Sequence, residues 1–183
     1  MPSPGITKKM IAGAMKEFMT ERPLSKITVG DIIRHCEINR NTFYYHFKDK
    51  FDLVNWIFYT EFVAETHRVE FDSVWGFIDQ LTSFFYKNKA FYKNALSEQG
   101  SNCFTEYFGD LIKTGIMLPL DDIIEDNQDK DFYADFFIDA FIAAISRWLR
   151  EGAKIPPETL TELMKKAATG VAIKLVEELD DVS

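Results

Sequence analysis

Between residues 28 and 50 the chain gathers side chains able to exchange hydrogen bonds with a nucleic acid: Thr28, Arg40, Asn41, Thr42, Tyr44, Tyr45, His46 and Lys50. Arg40 and Asn41 carry the groups that pair in bidentate fashion with base edges, a guanidinium with guanine and a carboxamide with adenine. Tyr44, Tyr45 and His46 have the reach for phosphates or thymine methyl groups. Thr28 and Lys50 fall at the starts of helices bracketing the motif, where a hydroxyl, an ammonium and backbone N–H groups can hold a phosphate. Reading bases requires such groups on one rigid rod, because the major groove admits a single α-helix. Phe43 and Phe47, four residues apart, supply the inward anchor for that rod. Two plainer readings stand beside this one. The segment also suits a three-helix cap whose aromatic residues pack on the rest of the chain, and His46 suits a packing histidine.

The elements that must position these groups read almost entirely as helix. Thr7 is a candidate N-cap, and Ile11, Ala14, Met15 and Phe18 follow the spacing of one apolar face. Pro23 ends that helix by constraining the residue before it. Thr28 with Asp31 three residues on forms a weak capping box for a second helix, which buries Val29, Ile32, Ile33 and Cys36. Glu37-Ile38-Asn39 is the turn, with Asn39 capping the recognition helix. A fourth helix is expected from near Lys50 to His67. Five more follow, at Asp72–Tyr86, Lys89–Leu96, Asn102–Met117, Lys130–Arg150 and Pro157–Leu179. Gly100 and Pro119 mark breaks, and Gly152 with Pro156-Pro157 marks a turn. Asp121 to Asp131 reads as a solvated loop. The expected fold is all-α: a helix-turn-helix DNA-binding domain over residues 1–50 and a helical effector-binding and dimerisation domain over 51–183.

Charge is distributed in the same two parts. The 183-residue chain has a formal net charge of −8, which by itself disfavours a nucleic-acid partner. Residues 1–50, however, hold nine basic and five acidic residues, a net +4, and the remainder carries −12. A basic head on an acidic body orients itself on a phosphate backbone. Two cysteines, Cys36 and Cys103, do not make a disulfide scaffold. With no apolar run long enough to span a bilayer and no secretory leader, a reduced cytoplasmic setting is expected, with no membrane partner.

The stretch Ile27-Thr28-Val29 through Thr42-Phe43-Tyr44-Tyr45-His46-Phe47-Lys48-Asp49-Lys50 resembles the N-terminal domain of TetR/AcrR-family transcriptional regulators. The shared features are the T-V-x-D-I start, the T-F-Y-x-H-F core and the K-x-K step into the fourth helix. Asn41 stands where the family commonly has glycine, which bears on the base contact rather than on the fold. The resemblance implies an all-helical homodimer on a palindromic operator, whose C-terminal domain answers a small-molecule or protein effector by changing the spacing of two heads. By position it implies phosphate contacts at Thr28, Tyr44 and Lys50, with Arg40, Asn41, Tyr45 and His46 nearest the bases. A shorter run, Phe91-Tyr92-Lys93-Asn94-Ala95-Leu96 followed by Asn102, Phe104 and Tyr107, is similar to a TetR subgroup that includes regulators linked to dihydroxyacetone kinase genes. Members of that subgroup can act as activators answering to a protein co-regulator.

The last two helices carry the expected dimer face. Phe132 to Leu149 is apolar around most of its circumference, so it needs cover on nearly all sides. Leu160, Leu163, Met164, Ala167, Ala168, Val171, Ala172, Leu175, Val176 and Leu179 form one broad stripe in the helix that follows. The aromatic residues of the middle helices suit either a ligand cavity or ordinary core packing. Neither an enzyme nor a cofactor is expected: no nucleophile elbow, zinc pair, phosphate loop or dinucleotide glycine pattern appears, and the adjacent His35 and Cys36 point to different faces. A protein-interaction module without DNA binding is the remaining rival. Repression is the default sense of regulation, with activation as the alternative.

Overall fold

A computed structural model describes residues 4–66, 73–98, 103–121 and 130–171, and these contain helices and no strand. Helix α1 spans Pro4–Glu21 and is followed by a 3-10 turn at Leu24–Lys26. Helices α2 (Val29–His35) and α3 (Arg40–His46) complete the head, and α4 (Lys50–Phe58) leads from it into the body. The axis of α4 continues through a π-helical stretch, Tyr59–Val63, into one further turn, α5 (Ala64–Thr66). The body comprises α6 (Val74–Lys87), α7 (Lys89–Ala95), α8 (Phe104–Asp121), α9 (Lys130–Arg150) and α10 (Pro157–Lys166), the last running into a π-helical turn, Ala167–Val171.

Each helix start in the head has a local chemical cause. Thr28 forms a reciprocal capping box with Asp31: its hydroxyl accepts from the Asp31 N–H at 3.1 Å and the Asp31 carboxylate accepts from the Thr28 N–H at 2.9 Å. Asn39 caps α3 by accepting from Thr42 N–H at 2.8 Å, and Asp49 caps α4 by accepting from Phe51 and Asp52. Helix α2 ends at Glu37, whose φ of 52° lies in the left-handed region while the Ile38 N–H reaches back to the Ile33 carbonyl at 3.1 Å. That reversal brings α3 across α2 and makes the helix-turn-helix.

Three expectations need correction. Thr7 is not an N-cap: α1 begins at Pro4, a residue suited to the first helical position, and Thr7 is buried inside the helix. Helix α8 runs through Pro119 to Asp121, past the expected break. The stripe expected along the last helix is divided. Leu160 and Met164 pack inward against α6, whereas Leu163 stands exposed at 51% and Ala167 is also exposed. The expected break at Gly100, the loop between α8 and α9 and the helix beyond Val171 lie outside the described residues. The turn at Gly152 forms as expected, with φ +92°.

One apolar core runs from head to body, and phenylalanine dominates its body half. The ring of Phe58 on α4 meets those of Phe62, Phe84, Phe85, Tyr92, Phe104 and Phe108 at centroid distances of 5.2 to 6.2 Å. Aromatic pairs at such separations add favourable edge-to-face and offset contacts to simple burial. Phe58, Phe62, Phe85, Tyr92, Phe104 and Phe108 are therefore core, with Phe84 half-buried against them. A buried hydroxyl pair, Thr82 with Thr161 at 3.0 Å, pins α6 to α10. Among the described residues no helix is long and apolar enough to cross a membrane, and no cluster of three or more His, Cys, Asp or Glu could hold a metal ion.

Candidate nucleic-acid interface

Helix α3 divides cleanly by face. Phe43 is fully buried and Phe47 is 2% exposed, while Arg40, Asn41, Tyr44 and Tyr45 are exposed, Tyr45 at 79%. Positions 40, 41, 44 and 45 share one side of a helix with 3.6 residues per turn, opposite the two phenylalanines. The anchor is well seated: the Phe47 ring lies 5.6 Å from that of Trp56 on α4, and the Lys8 ammonium of α1 sits 5.4 Å from both. Burying two such side chains stabilises the placement of α3 by roughly 1.5–3 kcal/mol each. Local contacts also organise the outer face. The Arg40 guanidinium lies 5.9 Å over the Tyr44 ring, and Tyr45 meets His46 edge-on at 4.9 Å.

The other sequence-chosen residues are less free. Half-buried Thr42 donates its hydroxyl to the Asn39 side chain at 3.0 Å, so it serves the cap. The Thr28 hydroxyl likewise belongs to the capping box. Lys50 is half-buried and its ammonium donates to the carbonyls of Leu24 at 2.7 Å and Ile27 at 3.0 Å, leaving one N–H. It ties the entrance of α2 to the start of α4. Hydrogen bonds from the Thr28 backbone and hydroxyl, with smaller help from Arg22 and Arg34, hold the Asp31 carboxyl below its ordinary value. Asp31 in turn pairs with Arg34, partly neutralising that exposed guanidinium.

Sequence reasoning missed Lys48, which is exposed just past the end of α3, where the backbone has turned extended at Phe47. Lys26, exposed just before the Thr28 cap, is a second flanking cation. A separate opening of about 500 Å³ lies between α8 and α9, lined by Glu98, Cys103, Lys113, Asp135 and Asp139 among others. Across it the Lys113 ammonium reaches Asp135 at 2.7 Å, and that bond is the main cause of its raised pKa.

A polar helix face presented by a capped helix-turn-helix on an all-helical body defines a helix-turn-helix regulator of transcription. The family model described as bacterial regulatory proteins, tetR family, matches residues 11–57, and one described as transcriptional regulator C-terminal region matches residues 73–170. The chain belongs to the TetR family of transcriptional regulators, whose members bind DNA and typically act as dimers. It is similar to the dhaKLM operon transcriptional activator DhaS of Lactococcus lactis subsp. lactis (strain IL1403), with 40% identity over 57 residues. That match spans 31% of this chain and only 30% of the relative's length. A solved structure of a TetR transcriptional regulator from Streptococcus agalactiae 2603V superimposes with a TM-score of 0.69 at 22% identity, covering 88% of this chain and 92% of that one. A structure of the dihydroxyacetone kinase operon activator DhaS gives 0.59 at 22% identity, covering 88% and 93%. At these identities the two structures speak for the fold.

Proposed function

We propose that the chain reads a palindromic duplex operator as a homodimer, in the cytoplasm, as an effector-responsive repressor without catalytic activity. The head is residues 1–50 and the body 51–183. Arg40, Asn41, Tyr45 and His46 lie at the base edges, with Tyr44, Thr28 and the remaining N–H of Lys50 at phosphates. Thr42 holds the start of the recognition helix. The observation that carries this reading is the outer face of α3, polar and exposed while Phe43 and Phe47 are sealed beneath it. The dimer forms through α9 and α10. In support, α9 leaves Phe132, Tyr133 and Phe136 at 69%, 42% and 57% exposure, more aromatic surface than a lone subunit ordinarily shows to water.

Activation is the second reading, and a specific observation favours it: the relative that is 40% identical through the matched segment is a transcriptional activator. Transcript levels of neighbouring genes after deletion separate the two senses, since loss of a repressor raises them. The reading as a whole is tested by titrating duplex DNA at several salt concentrations. Affinity should fall steeply with salt. It should also fall by about two to three orders of magnitude in the Arg40→Ala/Tyr44→Ala double variant, since a bidentate base contact contributes about 1–3 kcal/mol and is lost in both half-sites. Undiminished binding by a folded double variant removes the basis of the proposal.

A further inference from the structure

The run Phe91 to Leu96 has no part in the chemistry above, yet its helix holds the head. Pro23 lacks an N–H, so the Met19 carbonyl four residues earlier has no ladder partner. The break also leaves the Arg22 carbonyl and the Leu24 N–H to be satisfied from elsewhere. Asn94 on α7 meets all three: its Nδ2 donates to Met19 O at 3.1 Å and to Arg22 O at 2.7 Å, and its Oδ1 accepts from Leu24 N at 2.7 Å. Only one orientation of the amide does this; the flipped amide opposes like groups at every contact. Just past the end of the helix, Glu98 accepts from the Ser25 N–H at 2.9 Å. Lys50 grips the same segment from α4. Three residues beyond Ser25 comes Thr28, the cap of α2.

The opposite face of α7 belongs to the body. Phe91, Tyr92 and Ala95 are buried there, and the Tyr92 ring lies 4.5 Å from Phe85, 5.3 Å from Phe84 and 5.5 Å from Phe104. Apolar packing between head and body has no preferred direction, whereas three hydrogen bonds to one amide fix both distance and angle. A further polar link, Lys16 to Glu61, is more than a third exposed on both sides and constrains little.

We propose that Asn94 is the positioning residue through which the body sets the orientation of the DNA-reading head, and so sets the half-site spacing the dimer accepts. This rests on the homodimeric reading above. Replacing Asn94 with alanine removes all three bonds; replacing it with aspartate keeps the shape and removes both donors.

The test uses the full chain and duplexes selected from a random library by the wild-type protein. One or two base pairs are then inserted or removed between the half-sites. Each step shifts them by about 3.4 Å and turns them, so wild-type affinity should fall about tenfold or more. In Asn94→Ala and Asn94→Asp the same step should cost less than about threefold, with Glu98→Ala moving in the same direction by less. A merely structural role lowers affinity for every duplex alike. A spacing preference that survives intact in these variants, with sedimentation still showing dimers, overturns the proposal and leaves the dimer standing. Should Asn94→Ala lose its cooperative melt, Asn94→Asp and Glu98→Ala decide by the same criterion. A wild-type protein that sediments as a monomer, or ignores spacing, overturns the homodimeric reading and this proposal with it.

Discussion

Replacing Lys50 by methionine keeps the length and apolar stem of the side chain and removes its ammonium. Two charge-assisted bonds disappear, to the carbonyls of Leu24 and Ile27 at 2.7 and 3.0 Å. Hydrogen bonds to charged groups contribute about 1.5–3 kcal/mol each; partial exposure of Lys50 argues for the low end, so the pair is worth about 3 kcal/mol. Methionine packing returns a little of this, leaving a loss of about 2–3 kcal/mol. For a chain of this size that lowers Tm by about 5–10 °C. The assay is thermal melting followed by far-ultraviolet circular dichroism without DNA, because the argument concerns folding rather than binding. A Lys50→Met protein melting within about 2 °C of wild type refutes it, since Lys50 would then be an ordinary surface cation. Salt titrations of DNA binding give a second handle: if its remaining N–H touches a phosphate, the slope of log affinity against log salt falls by about 0.9.

Two further substitutions test the packing and the cap. The Tyr92 hydroxyl is buried, finds no hydrogen-bond partner among the described residues, and has its pKa pushed well up by burial first and Glu61 second. Tyr92→Phe should therefore raise stability by about 1 kcal/mol, read as a higher urea midpoint; a lower midpoint means the hydroxyl is satisfied in solution. The depressed Asp31 carboxyl contributes stability that is present above its ordinary value of 3.8 and is lost as pH falls through the lower folded value. The stability gap between wild type and Asp31→Asn should be open at pH 7 and close in acid below that value. A gap independent of pH shows that charge on Asp31 is irrelevant to the cap.

The head was the most legible part of the sequence because its determinants are local. Thr28, Asp31 and Asn39 act over three residues, and Phe43 with Phe47 declares the inner face of α3 within one turn. The tertiary hydrogen bonds that sequence reading missed act across long separations. Asn94 is 70 or more residues from the groups it satisfies, and Lys50 is 23 and 26 residues from its two carbonyls, so no local period reports either. The apolar stripe of the last helix identified an apolar surface but not its division between α6 and the outside, which depends on the placement of α6. Among the aromatic residues, sequence alone favoured core over cavity without deciding any single ring. Ring-to-ring distances decide for core, because Phe58 touches six other rings.

That crowding around Phe58 limits how the body can respond to anything that binds it. Interlocked rings at crystal-like density have few alternative arrangements of similar energy, and one ring turns only when its neighbours give way. Displacement of Phe84 or Phe104 must drag Phe58, and with it the axis of α4, all at once. Signals crossing this interior would come in discrete jumps between two packings, graded only in how often each is visited.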